Sequence, residues 1–289
     1  MREVAMGQVE GRQNHLSWQQ IAVDGRPAVY GVAGTGSPLA FLHGWGLAHR
    51  TYKRALKRIV GSGVRVYAPA LPGFGGTPEL PRDQFSLAGY SHWVDHFLTA
   101  VGIDEPVTLV GHSFGGGVAI RVAYDHLDRV AQLILVNSIG GSTWCNRSDG
   151  PRSMGERPLW DWGLHLQADA LPLRQLTRVL PVIAADAVPN LLRQPRTVWR
   201  VGQLARTADL TEELAELKRR HVPVVILWGR NDTVLPLACL ESLRAALGEP
   251  VVHTVDGNHA WLLAHPDRFA EQITNILRAG VELDERPAS

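Results

Sequence analysis

Between Val107 and Ala123 an apolar strand-like run, the pentapeptide Gly111-His112-Ser113-Phe114-Gly115 and a run of small helix-forming residues follow one another without a gap. That order places one serine on a sharp strand-to-helix turn. The strained backbone of such a turn leaves no room for a Cβ two residues before or after the serine, and Gly111 and Gly115 supply that room. The run Pro106 to Gly111 is of the β-branched and aliphatic kind buried on both faces of a parallel sheet, so Ser113 falls at a strand's C-terminal end. After it, Gly115 to Ala123 carries few large side chains on its first turn, which lets a helix start close against the sheet. Helix N-termini also favour developing negative charge. Ser113 is therefore the candidate nucleophile. The pentapeptide alone is short, and a glycine-rich turn with an incidental serine reads the same way, so the rest of the chain has to supply partners.

The chain around it alternates. β-like runs at Leu16 to Val23, Ala28 to Val32 and Leu39 to Leu42, separated by Asp24-Gly25 and Gly34-Thr-Gly36, read as an antiparallel opening with a hairpin loop. From residue 50 a helix around Arg54 to Val60, a strand at Val64 to Ala68, a helix from Leu87 to Val101, and strands at Gln132 to Asn137, Pro223 to Trp228 and Val251 to Val255 imply a parallel sheet. A helix from Pro266 to Ala279 closes the series. Residues 142–220 break the alternation. They show no clear strand, three tryptophans between Trp144 and Trp162, and Pro-punctuated helical stretches. This segment reads as a helical insertion that either roofs the crevice beyond the strand ends or packs a small core of its own.

A serine hydroxyl needs a base, and the base needs an orienting group. Both must come from loops just past strand ends on the same sheet edge. Asp232 follows the strand ending at Trp228, and His259 follows the strand ending at Val255. The chain order Ser113, Asp232, His259 is nucleophile, acid, base. Asp256 shares the loop of His259, which makes it the poorer orienting acid. The oxyanion formed by attack on a carbonyl needs fixed donors. The expected ones are the backbone N–H groups of Phe114 and of Trp45, the latter in His43-Gly44-Trp45-Gly46. His43 is read as a brace of that turn.

These residues resemble the α/β-hydrolase fold family. The motifs are His43-Gly-Trp-Gly46, Leu71-Pro-Gly-Phe-Gly-Gly-Thr77, Gly111-His-Ser-Phe-Gly-Gly116, Gly229-Arg-Asn-Asp232 and Gly257-Asn-His259, in family order from about residue 16 to 279. The resemblance implies an α/β fold with a mostly parallel eight-stranded sheet flanked by helices. It implies a core of residues 1–141 and 221–289, and a helical cap of residues 142–220 inserted after the sixth strand. It further implies a cofactor-free, metal-free serine hydrolase, carboxylesterase-like, acting on a hydrophobic ester, with His43, Trp144 and Trp261 as candidate pocket residues. Family members with epoxide hydrolase or haloalkane dehalogenase chemistry use an aspartate where this chain has Ser113. Carbon-carbon hydrolases of vinylogous diketones commonly carry Asn where His112 stands, and in that alternative Arg193 or Arg196 would meet a substrate carboxylate. The two glycine loops also look like those of a pimeloyl-ester carboxylesterase, which has Trp at the position of His112. A hydrolase-like ligand receptor is the non-enzymatic alternative.

Composition limits the partners. A net charge of +1 over 289 residues gives no global field for nucleic acid or anionic membrane. The basic stretch Arg50 to Arg58 reads as a solvated helix face. No run reaches the length of a membrane span and residues 1–10 lack a signal-peptide core, so the expected compartment is the cytoplasm. Cys145 and Cys239 match no metal or redox spacing, Asn146-Arg-Ser148 is a glycosylation acceptor only on a secretory route, and His92 and His96 lack a third ligand. Oligomeric state is not legible.

Overall fold

How apolar each strand is decides where it lies in the sheet. The computed structural model describes residues 15–141, 143–145, 151–153 and 173–284. The strands are β1 (Ser17–Val23), β2 (Arg26–Gly34), β3 (Ser37–Leu42), β4 (Val64–Pro69), β5 (Val107–His112), β6 (Val130–Val136), β7 (Thr143–Cys145), β8 (Pro151–Ser153), β9 (Val224–Gly229) and β10 (Val251–Val255). Eight of them form one sheet in the order β1-β2-β4-β3-β5-β6-β9-β10. β2 is antiparallel to β1 and β4, and every other neighbouring pair is parallel.

The opening is antiparallel only as far as β1 and β2. β3 does not fold back on β2; it pairs in parallel with β4 and β5. From Pro38 to Leu42 every residue of β3 is buried, so the strand belongs in the sheet's centre, whereas β1 is largely solvent-facing and takes the edge. The Gly34-Thr-Gly36 segment is thus a crossover rather than a hairpin. Gly36 has φ +105°, and a Cβ there would lie 2.1 Å from the Gly63 carbonyl oxygen, so only glycine lets the chain pass this close to the entry of β4.

Alternate residues of the central strands feed two apolar layers. Ala40, Leu42 and Leu109 join the layer with helices α2 (Leu87–Ala100), α3 (Phe114–Asp125), α6 (Thr211–Arg219) and α7 (Leu237–Leu247). Leu39, Phe41 and Val110 join the opposite layer with α1 (Lys53–Ile59) and α9 (Pro266–Asp284). Between α6 and the sheet series, α4 (Leu173–Arg193) and α5 (Pro195–Arg206) make up the described helices of the insertion, and a short α8 (Trp261–Ala264) precedes α9.

One expectation for residues 142–220 changes. The segment holds a small antiparallel ribbon of β7 and β8, paired from Thr143 with Ser153 to Cys145 with Pro151. Its last helix, α6, packs against the core: Leu214 and Leu217 are fully buried in one cluster with Ile120 and Leu243, and Arg121 pairs with Glu213 at 2.8 Å. Trp160, Trp162, the Asn146 acceptor site and residues 1–10 lie outside the described residues. No described helix is long and apolar enough to cross a membrane.

Candidate active site

β5 delivers Ser113 into a conformation that few residues with a side chain adopt, φ 55° and ψ −118°, strain of about 1–3 kcal/mol that the surrounding structure must hold. It is held from both sides. Ser113 N–H donates to the Val136 carbonyl at 3.1 Å, and its own carbonyl accepts from Gly116 and Ile139 at 3.0 and 3.2 Å. The glycine requirement read from the sequence is met literally. A Cβ on Gly111 would lie 2.5 Å from the Gly115 carbonyl oxygen, and one on Gly115 would lie 2.3 Å from that of Leu42. Phe114 opens α3, so its N–H lies in the turn that no intrahelical carbonyl reaches. Its side chain points away into the core, edge-on to Tyr90 at 5.2 Å.

Two loops at the same sheet edge meet beside it. After β9, Asp232 is 6% exposed, and after β10, His259 is 4% exposed. His259 Nδ1–H donates to Asp232 Oδ2 at 2.8 Å, which leaves the lone pair of the neutral ring on Nε2. The carboxylate is held further. Oδ1 accepts from Leu235 N–H at 2.8 Å, and Oδ2 accepts from Asn137 Nδ2 at 2.6 Å. Asp256 is exposed and pairs with Arg230 instead.

Asn137 joins this network without any motif to mark it. It stands just past β6 at φ 42°, a left-handed conformation that asparagine tolerates better than most residues. Its Oδ1 accepts from Trp261 Nε1–H at 2.8 Å and from Gly229 N–H at 3.2 Å. One side chain therefore ties the ends of β6 and β9 to α8 beneath the Asp232 carboxylate. The available signal was its place at the same strand-end edge as the other three residues.

A second unanticipated set lies on the other side of Ser113. Tyr52 O–H donates to His112 Nδ1 at 2.8 Å, and Gly44 N–H donates to the Tyr52 oxygen at 3.1 Å. His112 Nε2–H donates to the His259 carbonyl at 3.0 Å. Every proton in this chain has one place to go only if both side chains are neutral. Burial enforces that, pushing the His112 pKa well below its usual value and the Tyr52 pKa up. The relay joins the His43–Gly46 loop, the serine turn and the His259 loop.

Two of the three candidate pocket residues, His43 and Trp261, are fully buried. His43 is fully buried: Nδ1–H donates to the Gly44 carbonyl and Nε2 accepts from Leu71 N–H, both at 2.9 Å. Burial lowers its pKa to about 4, so it stays neutral and braces two loops. Trp261 is also fully buried, bonded to Asn137 and packed against Phe269. Trp144 lies in β7, and its side chain falls outside the described residues. Trp45 reaches the insertion, where its Nε1–H donates to the Val198 carbonyl at 2.6 Å and its ring packs on Gly202. Arg193 and Arg196 line a surface cleft with Arg26 and Glu79 that includes none of Ser113, Asp232 or His259. His92 meets His126 and His96 meets Asp24, and no group of three potential metal ligands occurs among the described residues.

A model of the alpha/beta hydrolase family matches residues 39–272, most of the chain. The chain belongs to that family. Among curated alpha/beta hydrolases, a pimeloyl-[acyl-carrier protein] methyl ester esterase of Aromatoleum aromaticum is 30% identical over 261 residues, 83% of this chain and 98% of that protein. A 2-hydroxymuconate semialdehyde hydrolase of Pseudomonas sp. (strain CF600) is 28% identical over 268 residues, 85% of this chain and 88% of that one. The solved structure of a bacterial membrane phospholipase A superposes with a TM-score of 0.75 at 22% identity, covering 96% of this chain and 90% of its own, a likeness of fold.

Proposed function

We propose that this alpha/beta hydrolase is a serine esterase that cleaves a carboxylic ester of a hydrophobic small molecule through an acyl-enzyme. The observation that carries the reading is the buried 2.8 Å pair of His259 and Asp232, set at the same sheet edge as a serine held at φ 55°. Ser113 Oγ attacks the ester carbonyl as its proton passes to His259 Nε2. The tetrahedral oxyanion is met by the N–H groups of Phe114 and Trp45, and collapse breaks the C–O bond as the proton goes to the leaving alcohol. Water then attacks the acyl-enzyme, gives one proton to His259, and the acid leaves with Ser113 restored. Asp232 keeps the imidazole in the tautomer that accepts at Nε2 and supports the imidazolium between steps. The esterase relative supports the ester as the bond cleaved.

Carbon-carbon hydrolysis is the second reading, favoured by the semialdehyde hydrolase relative. The exposed cleft of Arg193 and Arg196 lends it no carboxylate subsite at Ser113. A fluorophosphonate probe and a panel of aryl esters of rising acyl length test the proposal. Labelling of the wild type, lost in Ser113→Ala, with burst release of the aryl alcohol, is the expected result. Unlabelled, folded wild-type protein would overturn it in favour of a ligand receptor, and turnover of a vinylogous diketone with no ester turnover would favour the second reading.

A further inference from the structure

Helix α4 is built inside out. Between residues 180 and 192 every exposed position is apolar: Leu180, Pro181, Ala185, Val188, Leu191 and Leu192. Leu192 is 76% exposed and Leu191 55%. Its two polar side chains between 180 and 192, Asp186 and Asn190, point inward instead. Asp186 accepts from the Thr51 N–H and hydroxyl at 2.9 and 2.5 Å, and Asn190 donates to the Gly46 carbonyl at 3.1 Å and accepts from Gly75 N–H at 3.3 Å. A helix on a water-facing surface has the opposite polarity. The anomaly is local, because five of the eight large hydrophobic side chains exposed among the described residues lie between 180 and 199.

What borders this face says what covers it. Beyond Leu192 the exposed residues are Arg193, Pro195, Arg196 and Trp199. From 180 to 200 the only acidic residue is the inward Asp186, while Arg193 and Arg196 are exposed. Arg200 is occupied, beside Glu79 at 3.8 Å and over the Phe85 ring. An apolar helix face with arginines and a tryptophan at its margin and no outward acid in its own segment is the composition of a segment lying in a lipid interface. A second copy meeting this face about a two-fold axis would set Arg193 and Arg196 against their own counterparts, with the neighbouring Glu79 carboxylate already engaged by Thr197 and Arg200.

We propose that the α4 face from Leu180 to Leu192, with Arg193 and Arg196, docks the protein on an anionic phospholipid surface. The apolar residues enter the acyl boundary, and the arginines meet headgroup phosphates beside the cleft they share with Arg26 and Glu79. On the opposite side of the same helix, Asp186 and Asn190 hold the segment from Gly46 to Thr51. Docking therefore brings the loop next to Ser113 within one helix diameter of the lipid. Resting on the esterase reading, this selects esters that partition into lipid.

Vesicle flotation tests the docking without using activity. The probes are vesicles of phosphatidylcholine alone and of equal parts phosphatidylcholine and phosphatidylglycerol, with the full chain as wild type and as Ser113→Ala. Both proteins float with the mixed vesicles, and at least about tenfold less with phosphatidylcholine or at high salt. L191S/L192S and R193Q/R196Q each weaken binding by about tenfold or more. The arginine pair keeps the test decisive if the serine pair misfolds. Absence of flotation, or flotation unchanged in R193Q/R196Q, overturns the proposal. A wild-type dimer that L191S/L192S converts to monomer would instead assign the face to a second copy. Since Ser113→Ala is expected to float, failure of docking and failure of the esterase reading are separate results.

Discussion

Replacing Asn137 by alanine removes one side chain and strands three neighbours. Trp261 Nε1–H and Gly229 N–H lose their common acceptor, and Asp232 loses a donor at 2.6 Å. All are buried. Each orphaned donor costs about 1–3 kcal/mol and the lost charge-assisted bond about 1.5–3 kcal/mol, so Asn137→Ala should lose no less than about 3.5 kcal/mol. That is a large share of the roughly 5–15 kcal/mol by which a domain is stable. Urea unfolding followed by fluorescence gives the stability, and aryl ester hydrolysis on the folded fraction gives turnover, expected to fall on the order of tenfold as the Asp232 carboxylate loosens. Trp261→Phe isolates one orphan, because in Asn137→Ala/Trp261→Phe the indole N–H no longer exists. The two changes together should therefore cost about 1–3 kcal/mol less than their sum. A loss well short of about 3.5 kcal/mol in Asn137→Ala, or strict additivity in the pair, would refute this account of the strand-end network.

Tyr52→Phe leaves Gly44 N–H and His112 Nδ1 without their partner. It should lower ester turnover more than it raises KM, as expected for a group that positions the loop beside Ser113, and an unchanged kcat would discard the relay as a positioning device. Burial holds His43 at about 4, His49 at about 3 and His112 well below 6.5. Because the unfolded histidines bind protons first, stability falls as pH drops from about 6.5 toward 4, by about 2 kcal/mol per histidine at pH 5. Urea midpoints from pH 7 to 5 check the slope. Neither ring nitrogen of buried His49 has a hydrogen-bond partner among the described residues. His49→Leu should therefore keep neutral-pH stability and remove one histidine's share of that slope.

Much of the site could be read from the chain because its geometry is local. Gly111 and Gly115 flank Ser113 in sequence, and the clashes a Cβ would make there arise within one turn and the strand beside it. The strand–helix alternation, and the candidate serine, acid and histidine just past three strand ends, follow from period and spacing. Much of what could not be read is long-range. For His43 and Trp261 the sequence does not name the partners, Leu71 N–H and Asn137 Oδ1, that their ring nitrogens meet. β3 carries a central strand's composition, but only its pairing with β4 and β5 shows that the chain crosses over rather than turning back.

The sequence by itself determined a strand–serine–helix turn, an α/β alternation and the order of three candidate site side chains, because backbone sterics and hydrophobic period act over a few residues. Tertiary structure decided which polar atoms pair. The contacts of Asn137 with Asp232, of Tyr52 with His112 and of Asp186 with Thr51 span 95, 60 and 135 residues. No local propensity encodes bonds of that reach. The outward apolar face of α4 belongs to the same class, since its pattern reads as an ordinary amphipathic helix until the fold shows which side meets the core.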